Sequence, residues 1–215
     1  RQLFFVMLFL ALFFGLITLF FHNSTRKVQV LLADTTPLFN KKDIHISSTK
    51  LNNNNTLKET YILYLNFENS SSSHAWFHDF VSNKPILTRG TEENFMVLYN
   101  PHRNSIVLIF LMEKLDVKRS TDDKHLIKTH QDIYIKNIPH QKWLQVAILI
   151  NNRVVDVYIN KLLHQSILLD NVPILSNEGL VLGRTGQNAN VYVGRVEYAN
   201  QLLKVNDIKA LHFRN

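Results

Sequence analysis

The protein is a chain of 215 residues that carries a formal net charge of +7 and contains no cysteine. This length has room for one membrane anchor and one domain of ordinary size. The missing cysteines exclude a disulfide framework, a thiolate metal site and a cysteine nucleophile, and they mildly favour folding on the cytosolic side of a membrane. The positive charge favours anionic surfaces. The basic residues are scattered, however, so we do not expect nucleic acid as a partner.

The first predicted element is a transmembrane helix within residues 1–22. Every position from Leu3 to Phe21 is apolar, Gly or Thr. At about 1.5 Å per residue, such a helix spans roughly the hydrocarbon core of a bilayer. Residues 20–23 do not form a signal-peptide cleavage site; an uncleaved signal and a buried core helix are the alternatives. The residues predicted to form the anchor include Leu3, Phe4, Phe5, Leu8, Leu12, Phe13, Leu16, Leu19 and Phe20.

The charges that flank this helix predict the side of the membrane on which the remaining chain lies. Arg26 and Lys27 follow the helix, and by the positive-inside rule they place the large C-terminal part in the cytosol. Three Asn-x-Ser/Thr sequons, at Asn23, Asn54 and Asn69, matter only in a lumen and support the opposite orientation. We expect a single-pass membrane protein whose domain faces the cytosol, and the lumenal orientation stays open as the alternative.

After a connector over residues 23–40, many short strands predict one domain over residues 41–215. Polar turns separate some of these strands. Only residues 205–213 are typical of a helix, with Asn206 as the candidate N-cap. Short strands with so little helix predict an all-β, antiparallel β-sandwich or jelly roll. The predicted strands are residues 61–67, 95–99, 106–112, 143–150, 153–159, 166–169, 179–183 and 190–198.

The alternation of apolar side chains predicts which residues form the core. Odd-numbered positions of the strand 61–67 are Tyr, Leu, Leu and Phe, so they share one buried face. We expect Trp143 and the alternating apolar residues of 146–150 to form a second inward face, with residues 155–159 beside it across a hairpin. Trp143 is accordingly predicted to be a core residue rather than a platform for a ligand.

Two neighbouring segments resemble one family of domains. Residues 138–147 read I-P-H-Q-K-W-L-Q-V-A, and residues 152–160 read N-R-V-V-D-V-Y-I-N. Together they resemble the core of concanavalin A-like, laminin G-like domains, in a form most similar to those of large DNA viruses. The family's turn glycine is replaced by Lys161, so Asn160 is expected to take a left-handed conformation there.

Further segments resemble the same family in the same order along the chain. They are K-P-I-L-T-R-G at 84–90, L-V-L-G at 180–183 and Y-V-G-R-V-E-Y at 192–198. The resemblance implies a concanavalin A-like jelly roll. The superfamily includes glycosidases, and other members bind calcium or glycans, so the resemblance leaves catalysis, calcium binding and glycan binding open for this chain.

The carboxylates do not form the pair that a glycosidase needs. Glycosidases place two carboxylates on either side of the scissile bond, and the E-x-D-x-x-E strand of the superfamily is missing. Glu92 and Glu93 are adjacent, so on a strand they would point to opposite faces. Residues 122–123 are a pair of Asp in a polar stretch that is typical of a solvated loop. We therefore predict that the protein is not an enzyme.

The candidate metal ligands do not form a recognised motif either. Asp116, Asp122 and Asp123 could supply oxygen ligands to calcium, but they lack a calcium-binding pattern. In the segment 74–79, two histidines stand four apart without the Glu of a zinc-protease motif. We predict no cofactor and no metal, and interpret this segment as an aromatic loop that could bind a partner. The candidate partner-binding residues are His74, Trp76, Phe77 and His78.

Two functions remain after these exclusions. The first is a membrane-anchored structural protein, such as a viral minor capsid or virion membrane protein that tethers a protein shell to the bilayer. Its expected partners are the lipid bilayer and capsid-type proteins, and its expected location is the virion inner membrane facing the capsid, or a host membrane during assembly. The alternative is a surface module that binds a glycan or a receptor, which requires the lumenal orientation. Fold alone does not decide between them.

Overall fold

A computed structural model describes residues 13, 28–38, 43–51, 57–68, 83–115, 126–183 and 191–211. Within these ranges, no helix is long and apolar enough to cross a membrane. Phe13 is the only residue of the predicted anchor that they include. The rest of the predicted anchor, with Arg26 and Lys27, lies outside them.

The described chain forms two antiparallel sheets that pack face to face. Sheet A has seven strands and sheet B has six. Sheet A contains β1 (Gln29–Leu32), β2 (Thr36–Pro37), β4 (Lys58–Phe67), β9 (Trp143–Asn151), β10 (Val154–Ile159), β11 (Leu162–Leu168) and β13 (Val191–Ala199). Sheet B contains β3 (Ile44–Ile46), β5 (Lys84–Arg89), β6 (Phe95–Asn100), β7 (Ser105–Leu115), β8 (Leu126–Lys136) and β12 (Leu180–Leu182). The predicted antiparallel β-sandwich is confirmed.

Strands that are distant in sequence become neighbours in both sheets. Sheet A runs in the order β1, β13, β4, β9, β10, β11, with β2 also paired to β13, and sheet B runs β3, β12, β5, β6, β7, β8. The two middle strands of sheet A, β4 and β9, therefore lie between the C-terminal strand β13 and the hairpin formed by β10 and β11. Strands β1 and β2 lie within the predicted connector, so the sandwich begins before residue 41, because their backbones pair with β13.

The main core lies between the sheets and follows the alternation of the sequence. The four odd-numbered residues of β4 from Tyr61 to Phe67 are 0% exposed. Tyr61 contacts Phe95 of sheet B at 4.9 Å between ring centroids, and Phe95 stacks on Phe110 at 5.0 Å. These rings bridge the two sheets, so the pattern that predicted strand 61–67 also predicted its buried face.

The outer face of sheet A carries a second apolar cluster that the C-terminal segment covers. This segment contains the short helix α1 (Val205–Ala210). Its residues Leu203, Ile208 and Leu211 pack with apolar residues of β4, β9 and β10. The predicted helix is confirmed, but the predicted cap at Asn206 is wrong. The N-cap is Lys204, whose backbone N–H donates to the Asp207 carboxylate at 3.3 Å.

The turn after β10 confirms the left-handed conformation predicted for Asn160 and adds a second left-handed residue. Asn160 and Lys161 both have positive φ, at 48° and 72°, and they join β10 to β11 as a two-residue loop. Two consecutive positive φ values match the twist of a tight hairpin. Lys161 therefore takes a left-handed conformation without being a glycine, and its Nζ donates to the carbonyl oxygen of Lys209 at 2.9 Å.

Candidate functional site

Most residues that the sequence singled out lie outside the described part of the chain. The predicted partner-binding loop with His74, Trp76, Phe77 and His78 is one such segment, and the anchor apart from Phe13, with its flanking charges, is another. The same is true of the sequon residues Asn23, Asn54 and Asn69 and of the candidate calcium ligands Asp116, Asp122 and Asp123. Their predicted roles remain predictions.

Two of the carboxylates in the described ranges, those of Glu92 and Asp156, interact with neighbouring side chains. No cluster of three or more His, Asp or Glu that could hold a metal ion occurs within these ranges. Glu92 lies in the turn between β5 and β6, where its carboxylate forms an exposed ion pair with Lys128 at 2.6 Å. Asp156 on β10 accepts a hydrogen bond from the Ser166 hydroxyl at 2.5 Å.

A cluster of charged and polar side chains joins the two sheets inside the main core. Arg89 of β5 in sheet B reaches Glu59 of β4 in sheet A, with 3.2 Å between Nη2 and Oε1. The carboxylate of Glu59 also accepts hydrogen bonds from the hydroxyls of Tyr61 at 2.6 Å and Tyr198 at 2.9 Å. Arg89 donates to Tyr61 at 2.8 Å and to the Ser176 carbonyl at 2.8 Å.

This cluster is closed to solvent and acts as a clamp between the sheets. Arg89 is 1% exposed, Glu59 3%, Tyr198 1% and Tyr61 0%. Burial raises the pKa of the Tyr61 and Tyr198 hydroxyls, and the neighbouring Glu59 carboxylate raises both further. No ligand could reach these groups without separating the sheets. We therefore assign the cluster to stability and not to recognition.

A different polar group lies on the outer face of sheet A, where three adjacent strands align their side chains. Arg195 of β13 is directly opposite Tyr64 of β4, and Tyr64 is directly opposite Gln145 of β9. The register of β13 shifts between Val193 and Arg195. This bulge keeps residues 191, 193, 196 and 198 in the core and turns Arg195 outward, because the side-chain period of a strand is two.

A second row lies one step along the same strands and adds aromatic rings. Asn66 of β4 is flanked by Tyr192 of β13 on one side and Trp143 of β9 on the other. All three side chains are half-buried, as is Arg195. We call these two rows the outer-face site; it consists of Tyr64, Asn66, Trp143, Gln145, Tyr192 and Arg195.

Hydrogen bonds fix the inner part of the outer-face site. Gln145 Nε2 donates to the Tyr64 hydroxyl at 2.8 Å, and the Gln145 backbone N–H donates to Asn160 Oδ1 at 3.0 Å. Burial raises the pKa of Tyr64, and the carboxylate of Glu197 raises it further, whereas the Gln145 hydrogen bond and the charge of Arg195 lower it. Because the net shift of the Tyr64 pKa is upward from an ordinary value of 10.0, this hydroxyl stays neutral at physiological pH.

Three buried atoms of the outer-face site lack a hydrogen-bond partner within the described ranges. They are Asn66 Oδ1, Gln145 Oε1 and Arg195 Nε. Gln145 is 6% exposed, so leaving its carbonyl oxygen without a donor is costly. Two of these atoms accept hydrogen bonds and one donates. A hydroxyl group both donates and accepts, so hydroxyls match this set. Because the three atoms are themselves buried, a ligand hydroxyl would reach them only if the half-buried side chains of Asn66 and Arg195 moved aside.

The outer-face site was not predicted from the sequence, and the predicted position of Trp143 in the core between the sheets is wrong. Val146, Ile148 and Ile150 enter the main core as predicted, but Trp143 packs against the second cluster on the outer face. Side chains alternate between the two faces of a strand, so positions 143 and 146, which are an odd number of residues apart, point to opposite faces. The same count along β9 could have placed Trp143 and Gln145 together on the outer face.

Comparison with known proteins identifies the fold but not a family. No family model matches the chain, and no curated protein matches it. Several solved structures share the fold. The binding domain of botulinum neurotoxin serotype D has a TM-score of 0.58 and 15% identity over 85% of this chain. The binding domain of serotype G has a TM-score of 0.56 and 13% identity over 82%. The binding domain of neurotoxin DC in complex with SialylT has a TM-score of 0.55 and 14% identity over 85%.

The likeness establishes a β-sandwich of the kind found in these toxin binding domains. The chain spans 41–45% of the length of the three structures. At identities of 13–15%, the shared feature is the fold, and residue roles do not transfer.

Proposed function

We propose that this β-sandwich is a non-enzymatic recognition module that binds a hydroxyl-rich ligand, a glycan of a surface receptor, through the outer-face site. The observation that carries this proposal is the set of three buried atoms without described partners at Asn66, Gln145 and Arg195. Buried polar atoms are rarely left without partners, and this set needs both donors and an acceptor. Sugar hydroxyls supply both at short spacing.

The aromatic rings beside these atoms support the same ligand. Trp143 and Tyr192 border Asn66 and are half-buried. The carbon-bound faces of a sugar ring can pack on such rings, because aromatic side chains combine a large apolar surface with a polar tip. Binding sites for small ligands commonly combine apolar walls with a few placed polar groups. The likeness to toxin binding domains supports a recognition role at the level of fold.

A glycan array followed by titration calorimetry tests this proposal. The purified chain should bind at least one class of glycan, and Trp143→Ala should weaken that binding about tenfold or more by removing the apolar wall. Tyr134→Ala is the matched control, because Tyr134 is a half-buried aromatic residue of β8 in sheet B. Both variants should retain the circular dichroism of the parent protein.

Two results would contradict the glycan proposal. One is an array on which the folded parent protein binds no glycan. The other is a Trp143→Ala variant that binds as tightly as the Tyr134→Ala control.

A second candidate function is the tethering of a protein shell to a bilayer, in keeping with the apolar segment within residues 1–22. The edge strand β11 favours a protein partner for such a scaffold. Leu162, Leu163 and Leu168 are 70%, 56% and 63% exposed, and the strand contains no Lys, Arg, Asp, Glu or Pro. Uncharged edges of this kind can pair with strands of other chains. This role also requires the cytosolic orientation that Arg26 and Lys27 predict.

The mass of the native protein separates the two functions. Glycans attached to Asn23, Asn54 or Asn69 would place the domain in a lumen or outside a cell, which supports receptor recognition and contradicts the capsid-facing role. Unmodified asparagines, together with co-purification in detergent-resistant shells, would support the tether.

A further inference from the structure

We infer that the outer-face site selects neutral sugars over sialylated or otherwise anionic ones. This inference rests on the proposed function, because it names the ligand class of the same site. It follows from two features of the site: its charge balance and the ratio of its acceptor to donor atoms.

The single cation of the outer-face site is already neutralised within its own strand. Arg195 Nη2 lies 2.5 Å from Glu197 Oε1. The side chain of Glu197 is 1% exposed and that of Arg195 is 32% exposed, so the carboxylate lies beneath the guanidinium. Because only the carboxylate is buried, water screens this pair less than it screens an ion pair between two exposed side chains. The charge of Arg195 is therefore already balanced by the Glu197 carboxylate, so the guanidinium attracts an anionic sugar only weakly.

The three atoms without hydrogen-bond partners also favour neutral hydroxyls over acidic groups. Asn66 Oδ1 and Gln145 Oε1 are acceptors, and Arg195 Nε is a donor. Neutral hydroxyls can donate to both amide oxygens and accept from the Nε–H group. A carboxylate or sulfate that takes the place of these hydroxyls has no hydrogen to donate, so it would leave both amide oxygens without a donor. A site built to bind hydroxyls discriminates strongly against groups that cannot make those hydrogen bonds.

Apart from Arg195, the outer-face site also lacks the groups that usually bind a simple anion. Helix N-termini and exposed lysines do not contribute to these two rows, which come from the adjacent strands β13, β4 and β9 of sheet A. The overall charge of +7 would attract anions to many places on the surface. Selection for neutral sugars would therefore be a property of this local site, acting against the net charge of the chain.

The experiment compares one glycan with and without its acidic residue. We expect the chain to bind N-acetyllactosamine at least about tenfold more tightly than its sialylated form, a difference of about 1.4 kcal/mol. The affinity for the neutral glycan should change less than about twofold between 50 and 500 mM salt, because an uncharged ligand is not screened. An affinity for sialylated glycan that exceeds the neutral one and falls steeply with salt would overturn the inference.

A substitution of Glu197 tests the cause of the selection. Glu197→Gln keeps the shape of the side chain and removes its charge, so Arg195 becomes an uncompensated cation. We expect this variant to gain about tenfold or more in affinity for the sialylated glycan while neutral binding changes little. Glu113→Gln is the matched control, because Glu113 is an exposed residue of β7 in sheet B and loses the same charge.

The outcomes separate this inference from the proposed function. If the parent protein binds glycans through Trp143 but prefers the sialylated form, the inference is wrong and the recognition function stands. If it binds no glycan in either form, the recognition function fails and the inference falls with it. If Glu197→Gln does not fold, the salt dependence of the parent protein still decides, because that measurement needs no variant.

Discussion

Replacing Arg89 with methionine is the most direct test of the buried clamp between the sheets. Methionine has a similar length and no charge, so the substitution removes the guanidinium without a large loss of volume. The lost contacts are the ion pair with Glu59, the hydrogen bond to Tyr61 and the hydrogen bond to the Ser176 carbonyl. The cation also lies 5.0 Å from the centroid of the Tyr198 ring, and that interaction is lost too.

The expected cost follows from what the substitution leaves behind. Glu59 would remain 3% exposed, with its charge held only by the hydroxyls of Tyr61 and Tyr198. Removing one partner of a buried ion pair costs about 3–5 kcal/mol, because the other charge stays buried without compensation. In a protein of this size each kcal/mol lowers the melting temperature by about 2–4 °C, so we expect a decrease of about 6–20 °C.

Urea denaturation followed by circular dichroism measures this cost, and two further variants identify its origin. The double variant Arg89→Met/Glu59→Gln removes both charges and should recover at least about half of the lost stability. Lys128→Met breaks an ion pair whose side chains are 49% and 54% exposed, so it should change stability by less than about 1 kcal/mol. The reasoning would be refuted if Arg89→Met lowered the free energy of unfolding no more than Lys128→Met does. It would also be refuted if Glu59→Gln, added to Arg89→Met, lowered the free energy of unfolding further by as much as Arg89→Met alone.

Two further predictions concern alkaline pH and a glycine contact. Burial raises the pKa of Tyr99 to about 12 and also raises those of Tyr61 and Tyr198, so the unfolded chain loses these protons near pH 10 before the folded chain does. The contribution of these tyrosines to the free energy of unfolding should therefore be constant below about pH 10 and fall above it. Denaturation curves measured from about pH 8 to 11 test this, and a rise in stability above about pH 10 would contradict the raised pKa values. Gly183 has φ of +74°, and an added Cβ would lie 2.4 Å from the Leu38 carbonyl oxygen, so Gly183→Ala should lower stability by more than about 1 kcal/mol in urea denaturation.

The residues that sequence reasoning placed correctly are those whose environment repeats along a single strand. In β4, the alternating residues from Tyr61 to Phe67 predicted both a strand and its buried face. The turn at Asn152 was also predictable, because Asn tolerates the positive φ of 56° found there. In contrast, β1 and β2 are short, and their sequence resembles a connector. They become strands because β13 offers them backbone partners.

The buried clamp could not be predicted in the same way. Arg89 belongs to a residue type that is rarely buried, and nothing near it in the sequence indicates that it is 1% exposed. Its partner Glu59 comes from the other sheet. Only the packing of β5 against β4 across the core brings the two charges together, and their burial follows from that contact.

The outer-face site shows the same division between sequence and structure. The strand period alone determines that Trp143 and Gln145 share a face, and that Tyr64 and Asn66 share a face. It does not determine that these faces adjoin, because Tyr64 and Gln145 are 81 positions apart in the chain. The order β13, β4, β9 and the bulge at Arg195 decide that contact. Side-chain alternation is a local property of the backbone, whereas the choice of neighbouring strands depends on non-local pairing, which only the folded sandwich specifies.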